Sequence, residues 1–249
     1  MTKKMISAFA VIVMTITAST GQNLQNIANQ ILSGTSNSST SGAGSKPLSN
    51  DEVVRGLKDA LTVGTNNSTN IASKVDGFYK NPKLFIPFPP EARDVKEKMD
   101  ALGMKPQTDK FVMTLNRAAE EAAKNAAPIF VSAVKGMSIS DGFSILKGGD
   151  NAATQFLKNK TTSELKQKFT PVVKAALAKV EITKYWTPII KKYNKLPLVK
   201  KQNPDLTAYV TDKAITGLFM LIAEEELKIR KDPAARVSEI LQRVFGSLF

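Results

Sequence analysis

The stretch whose residue types best suit a small polar site is "LKGGDNAATQF", Leu146 to Phe156. Gly148 and Gly149 precede a run of helix-forming residues, and the free N–H groups of a helix start can hold an anion or a carboxylate. Thr154 stands one turn in and adds a hydroxyl. Asp150 competes, because its own carboxylate can fill those N–H groups as a plain cap. Paired carboxylates occur at Glu120–Glu121 and Glu224–Glu226. Acid/base work on a glycoside needs two carboxylates in one cleft, and nothing in the spacing sends these pairs to one cleft. They read as solvated helix faces.

Other chemistry is excluded by composition. The chain of 249 residues has no His and no Cys. That removes imidazole general bases, the usual triads, thiolate nucleophiles, disulfides and the common zinc ligand sets. "KGGDNAAT" lacks the Gly–Lys–Ser/Thr order of a nucleotide-phosphate loop. The expectation is a protein without catalytic residues, metal or cofactor.

The N-terminus reads as an address. Lys3 and Lys4 precede the apolar run Met5–Thr17, then small residues, which is the pattern of a secretory signal. The run is short for a membrane span, which needs about 20 apolar residues. Residues 1–21 are assigned to the signal, with cleavage after Gly21 or after Ala18. No lipid-attachment cysteine follows, so a soluble periplasmic protein is expected. The net charge is +13, or +11 without Lys3 and Lys4. The basic residues read as spread along the chain, with local clusters at Lys191–Lys192, Lys195 and Lys200–Lys201. Such a surplus suits an anionic envelope surface. Nucleic acid is not expected for an exported chain.

The elements that must position these residues read as helices. Residues 22–46 give a short helix, with Leu24, Ile27, Ala28 and Ile31 at helical spacing, then a Ser/Gly-rich linker. The folded domain is expected over 47–249, an all-α, single multi-helix bundle. Ser49 with Glu52 forms a capping box before the stripe Val53, Val54, Leu57, Ala60, Leu61, with Gly64 as a stop and a second helix over 67–75. "PEARDVKEKMDALG" opens a helix at Pro90. The Ala-rich pattern of 108–135 is kinked or broken by Pro128. Ser138 with Asp141 starts a short helix that Gly148–Gly149 ends. Asp150 or Asn151 caps a helix to about 159, and Thr161 with Glu164 starts another, interrupted by Pro171. A further helical piece over 183–196 is split by Pro188. Thr211 caps a helix carrying Ala214, Ile215, Leu218, Phe219, Ile222 and Ala223 on its inner face. Asp232–Pro233 starts the last stripe, Val237, Ile240, Leu241, Val244 and Phe245, as a hairpin with the helix before it. The tripeptide Asp-Gly-Phe occurs at Asp76 and again at Asp141, too short an echo to establish duplication.

One segment resists this reading. "KNPKLFIPFPPE" is apolar, yet Pro82, Pro87, Pro89 and Pro90 forbid a helix and spoil a central strand. It is expected as an extended proline-rich arm, with Phe78, Phe85, Ile86 and Phe88 filling grooves between helices. Packing on its own bundle, lining a ligand cavity and docking on a partner subunit all suit it.

Together, "LSNDEVVRGLKDALTVGT", "DGFYKNPKLFIPFPPEARDV", "GFSILKGGDNAATQFL" and "YVTDKAITGLFMLIAEEELKIRKDPAARVSEILQRVFG" resemble a family of exported bacterial proteins, domain of unknown function 4197. The likeness spans roughly Leu48 to Phe249. It implies an exported all-helical protein of envelope-bearing bacteria, with no established catalysis; the long Ser/Gly linker departs from the pattern. The leading expectation is a helical protein holding an apolar or amphipathic, acyl-like ligand between helices. Phe78, Tyr79, Phe85 and Phe88 would line the apolar part, and Gly148, Gly149, Asp150 and Thr154 would meet a head group. The alternative is a structural or protein-interaction module of the envelope without small ligand; an enzyme is third. An interior void of a few hundred Å³ separates the first from the second.

Overall fold

The computed structural model describes residues 49–179, 186, 190–191, 194–195, 197, 201, 205–236 and 242–244. The expected signal, short helix and linker of residues 1–46 lie outside the described residues. So do most of the 183–196 piece and Val237, Ile240, Leu241 and Phe245 of the last stripe, and with them the expected hairpin.

Seven α-helices and no strand occur among the described residues: α1 (Asn50–Ser73), α2 (Arg93–Ala101), α3 (Lys105–Ala123), α4 (Ala126–Lys135), α5 (Ile139–Lys147), α6 (Ala152–Ala178) and α7 (Leu206–Lys231). The fold is all-α, as expected. The most apolar long helix, α7, packs on α1, α3 and α6, and α6 also meets α3, α4 and α5. Ala118, Ala119, Ala122 and Ala123 of α3 are wholly buried, and these small side chains let neighbouring helices come close. Phe78, Phe111, Phe130, Phe169, Leu157 and Leu218 fill the interior.

Several helix boundaries follow local chemistry. Ser138 and Asp141 form the capping box at α5, the Ser138 hydroxyl accepting from the Asp141 N–H at 3.1 Å and the Asp141 carboxylate accepting from the Ser138 N–H at 3.0 Å. Pro128 stands third in α4, and the chain breaks at Lys124–Asn125, the turn in which a continuous helix would clash with its ring. Gly103 takes φ +77° after α2, the conformation that ends helices at glycine.

Other boundaries differ from expectation. Gly64 does not stop α1, and the separate helix over 67–75 is instead its continuation to Ser73. A methyl at Gly64 would lie 3.6 Å from Glu225 Cβ and 3.9 Å from the Ile229 side chain, so this glycine marks the approach of α7. Pro90–Ala92 is a 3-10 turn before α2. Thr161 and Glu164 start no helix, and Pro171 interrupts none, because α6 runs unbroken for 27 residues. Thr161 is buried and donates to the Leu157 carbonyl at 2.7 Å. Pro171 is exposed, as is Gln167, the residue whose carbonyl loses its usual helix donor there. Helix α7 begins at Leu206, capped by Asp205, whose carboxylate accepts from the Ala208 N–H at 3.0 Å. Thr211 lies inside that helix, buried. The two Asp-Gly-Phe tripeptides play different parts: one is a turn after α1, the other sits within α5.

Candidate functional site

The expected anion site at the start of α6 is filled from within the protein. Glu226 of α7 accepts from the Ala153 N–H at 2.9 Å and from the Thr154 N–H and hydroxyl at 2.8 Å each. Arg230, one turn on, donates to Glu226 through Nε at 3.0 Å and Nη2 at 2.9 Å, and to the Ile145 carbonyl at 2.9 Å. Both side chains are buried. The carboxylate sits on the positive end of α6, while the guanidinium supplies the counter-charge and ties in the end of α5. Neither expected cap acts: Asn151 makes no capping bond, and Asp150 is exposed and pairs with Lys231 at 3.0 Å. Gly148 is needed for closeness, since a Cβ there would meet the Ala152 Cβ at 2.5 Å. Gly149 is exposed.

The four aromatic candidates do not converge on a cavity. Phe78 is wholly buried, its ring lying on the backbone of α7 at Gly217. Its N–H and that of Tyr79 donate to one oxygen of buried Glu120 at 3.0 and 3.1 Å. Arg117 bridges the other Glu120 oxygen and Asp76, at 2.6 Å each. Hydrogen bonds from Lys80 and Arg117 hold the Asp76 carboxyl below its ordinary value, and the bonded Glu120 carboxylate holds the Arg117 guanidinium above its own. Asp76 itself takes φ +69°, a conformation in which Asp is among the tolerated residues. Phe88 is buried against Phe111 and Trp186, with ring centroids 4.9 and 5.6 Å away. Phe85 fills no groove between helices. It is 40% exposed and lies against Tyr79 at 6.2 Å, because residues 82–84 form a turn and alternation along the extended residues after it sends Phe85 outward and Ile86 and Phe88 inward.

The arm is secured by a residue that sequence reasoning missed. Asn116 of α3 is wholly buried. Its Oδ1 accepts from the Ile86 N–H, and its Nδ2 donates to the carbonyls of Ile86 and Val112, all at 2.8 Å. One amide side chain thus satisfies both backbone groups of Ile86, as a neighbouring strand would. Tyr209 adds a hydroxyl bond to the Pro87 carbonyl at 3.2 Å. The arm packs on its own bundle.

Open space inside the bundle is small, and the larger volume lies at the surface. Between α1, α6 and α7, beside Glu226 and Arg230, lies a void of about 20 Å³, room for about one water molecule. A groove of about 400 Å³ runs between α6 and α7, with Lys158, Thr162 and Lys166 on one wall and Ile215, Phe219 and Met220 on the other. No cluster of acidic residues suited to a metal ion occurs among the described residues. Helix α7 is long and apolar enough to cross a membrane, but 56% of that apolar stretch is buried by the protein itself.

The charge is not evenly spread. Between Lys147 and Lys201 stand thirteen lysines against Asp150, Glu164 and Glu181, a net +10 of the chain's +13. Every lysine of this stretch among the described residues is exposed, including Lys158, Lys160, Lys166, Lys168 and Lys174 of α6. The signal was present in the sequence as a running count of charge by region.

The fold and these sites define an all-helical protein whose buried ionic groups join one element to another. The family described as "Protein of unknown function (DUF4197)" matches residues 47–246, and the chain belongs to that family. No curated protein and no solved structure matches it.

Proposed function

We propose that this is an exported, non-catalytic helical module of the cell envelope that acts through its surface on an anionic partner. The observation that carries this reading is the division of charge. The buried acidic groups are consumed by the fold, Glu120 on the arm and Glu226 on α6, while net +10 stands between Lys147 and Lys201. The aromatic residues expected around a ligand serve packing or lie on the surface, which favours an interaction module over a carrier with an internal pocket. The N-terminal basic and apolar segments support export.

A second reading keeps a small amphipathic, acyl-like ligand. It rests on the groove between α6 and α7, where Ile215, Phe219 and Met220, beside Asp212 and Thr216, face Lys158 and Lys166. Thr154 is the one residue of the expected ligand set that lines this groove.

Native mass spectrometry of the protein purified from its host's envelope, with lipid extraction and in-envelope crosslinking, separates the two. The interaction module predicts a clean protein mass and crosslinks through the lysine-rich region. A defined co-purifying acyl species in fixed stoichiometry would replace it with the second reading.

A further inference from the structure

We infer that this protein docks through the lysine-lined exposed surface of α6, which follows the turn of the helix, and that its partner is an anionic lipid bilayer surface. The inference rests on the surface-acting reading above and names both the face and the partner.

Helix α6 carries five lysines and one acidic residue, Glu164, and all six are exposed. Its 27 residues span about 40 Å, so the charge is drawn out along the protein. The buried positions Ala153, Leu157, Thr161, Leu165, Phe169, Val173 and Leu177 recur every four residues. Beside that row run Lys158, Lys166 and Lys174, alternating with Thr162 and Thr170; on its other side run Lys160 and Lys168. Most of this charge is uncommitted. Lys166 pairs with Asp212 at 2.8 Å, and Lys160 lies over the Phe156 ring at 5.8 Å. Lys158, Lys168 and Lys174 make no ion pair within the described residues.

The residue type selects the partner. All thirteen basic residues from Lys147 to Lys201 are lysine and none is arginine. Arginine's planar fork suits directional recognition of single phosphates and nucleic acid; lysine is a flexible, hydrated point charge. The one α6 aromatic outside the buried row, Phe156, is half-buried and lies under Lys160, so the helix offers no row of rings on which successive bases would stack. Lysines near a bilayer answer to its surface potential, and this needs no fixed contact geometry. Glu164 is the one acid on the face, and Asp212 neutralises only Lys166.

Each lysine brought to an anionic bilayer contributes about fivefold to partitioning at low salt. The test is co-sedimentation of the protein, purified from its native host, with vesicles of phosphatidylglycerol and phosphatidylethanolamine, and with vesicles of phosphatidylcholine alone. Three proteins are compared: wild type, the triple variant K158Q/K168Q/K174Q, and a control triple variant K74Q/K98Q/K110Q that removes equal charge elsewhere. Circular dichroism and thermal melting check that each folds. The expected result is binding to the anionic vesicles only, released by high salt, weakened at least about tenfold in the α6 variant and much less in the control. Equal binding to phosphatidylcholine, equal loss in both variants, or no vesicle binding beside tight binding to nucleic acid would each overturn the inference. Lysine-dependent crosslinks to an envelope protein without vesicle binding would also overturn it, while leaving the surface-acting module in place.

Discussion

Glu226 accepts two hydrogen bonds from Thr154, one from its backbone N–H and one from its hydroxyl, each at 2.8 Å. This pairing joins the start of α6 to the last third of α7 across 72 residues of sequence. With Arg230 behind it, the carboxylate is buried and fully bonded. Replacing Glu226 by Ala leaves the guanidinium buried without its partner and the α6 N–H groups without an acceptor. A loss of about 3–5 kcal/mol is expected, measured by urea denaturation. A Glu226→Gln variant keeps one acceptor and should lose less. Equal stability of wild type and the Ala variant would show that the junction contributes nothing to the fold.

Asn116 gives a second prediction. A leucine there fills similar space but leaves the N–H and carbonyl of Ile86 buried without partners. Each such orphan costs about 1–3 kcal/mol, so Asn116→Leu should destabilise by about 2–6 kcal/mol. Hydrogen exchange at the Ile86 amide should accelerate selectively, because the arm is released before the bundle. An unchanged exchange rate at Ile86 would mean that the arm is held by its apolar side chains alone.

Much of this was legible in the sequence, and what escaped did so for identifiable reasons. The all-α class, the Ser138–Asp141 box and the break before Pro128 rest on local chemistry and were readable directly. The length of α6 was not, because its buried row recurs every four residues while a helix turns every 3.6. The row therefore winds around the helix to meet several neighbours, and no single face carries the stripe that amphipathic patterns predict. Gly64 looked like a stop because its role, admitting α7, is tertiary. Glu226 and Asn116 looked like ordinary polar residues, although each continues an apolar row. Leu218 and Ile222 lead at four-residue steps to Glu226, and Val112 leads in the same way to Asn116 and Glu120. A polar residue in register with a buried stripe was the available signal.

The arm's aromatic residues separate packing from exposure. Phe88→Ala removes a ring buried among Phe111 and Trp186 and should cost about 3–5 kcal/mol. Phe85→Ala removes a ring that is 40% exposed and should cost well under half as much. Paired denaturation curves check this, and Trp186 fluorescence should shift for Phe88→Ala alone. Equal effects would mean that Phe85 is covered by something else in solution.

Acid should loosen the turn that begins the arm. Asp76 has its carboxyl pKa held below the ordinary 3.8 by hydrogen bonds from Lys80 and Arg117. A carboxylate whose folded pKa is depressed contributes stability that is fully present above its unfolded value and is lost as pH falls through the folded one. Asp100, bonded by Lys96 and Thr108, and Asp141, bonded by Ser138, are lowered in the same direction, so all three act in one acid window below about pH 4. Asp76→Asn should flatten part of the acid limb of a stability–pH curve and leave the plateau near neutrality lower than wild type. The other two carboxylates should keep the remainder of that limb. A curve for the Asn variant parallel to wild type throughout would show that the Asp76–Arg117 bridge is screened by water and adds nothing to the folded state.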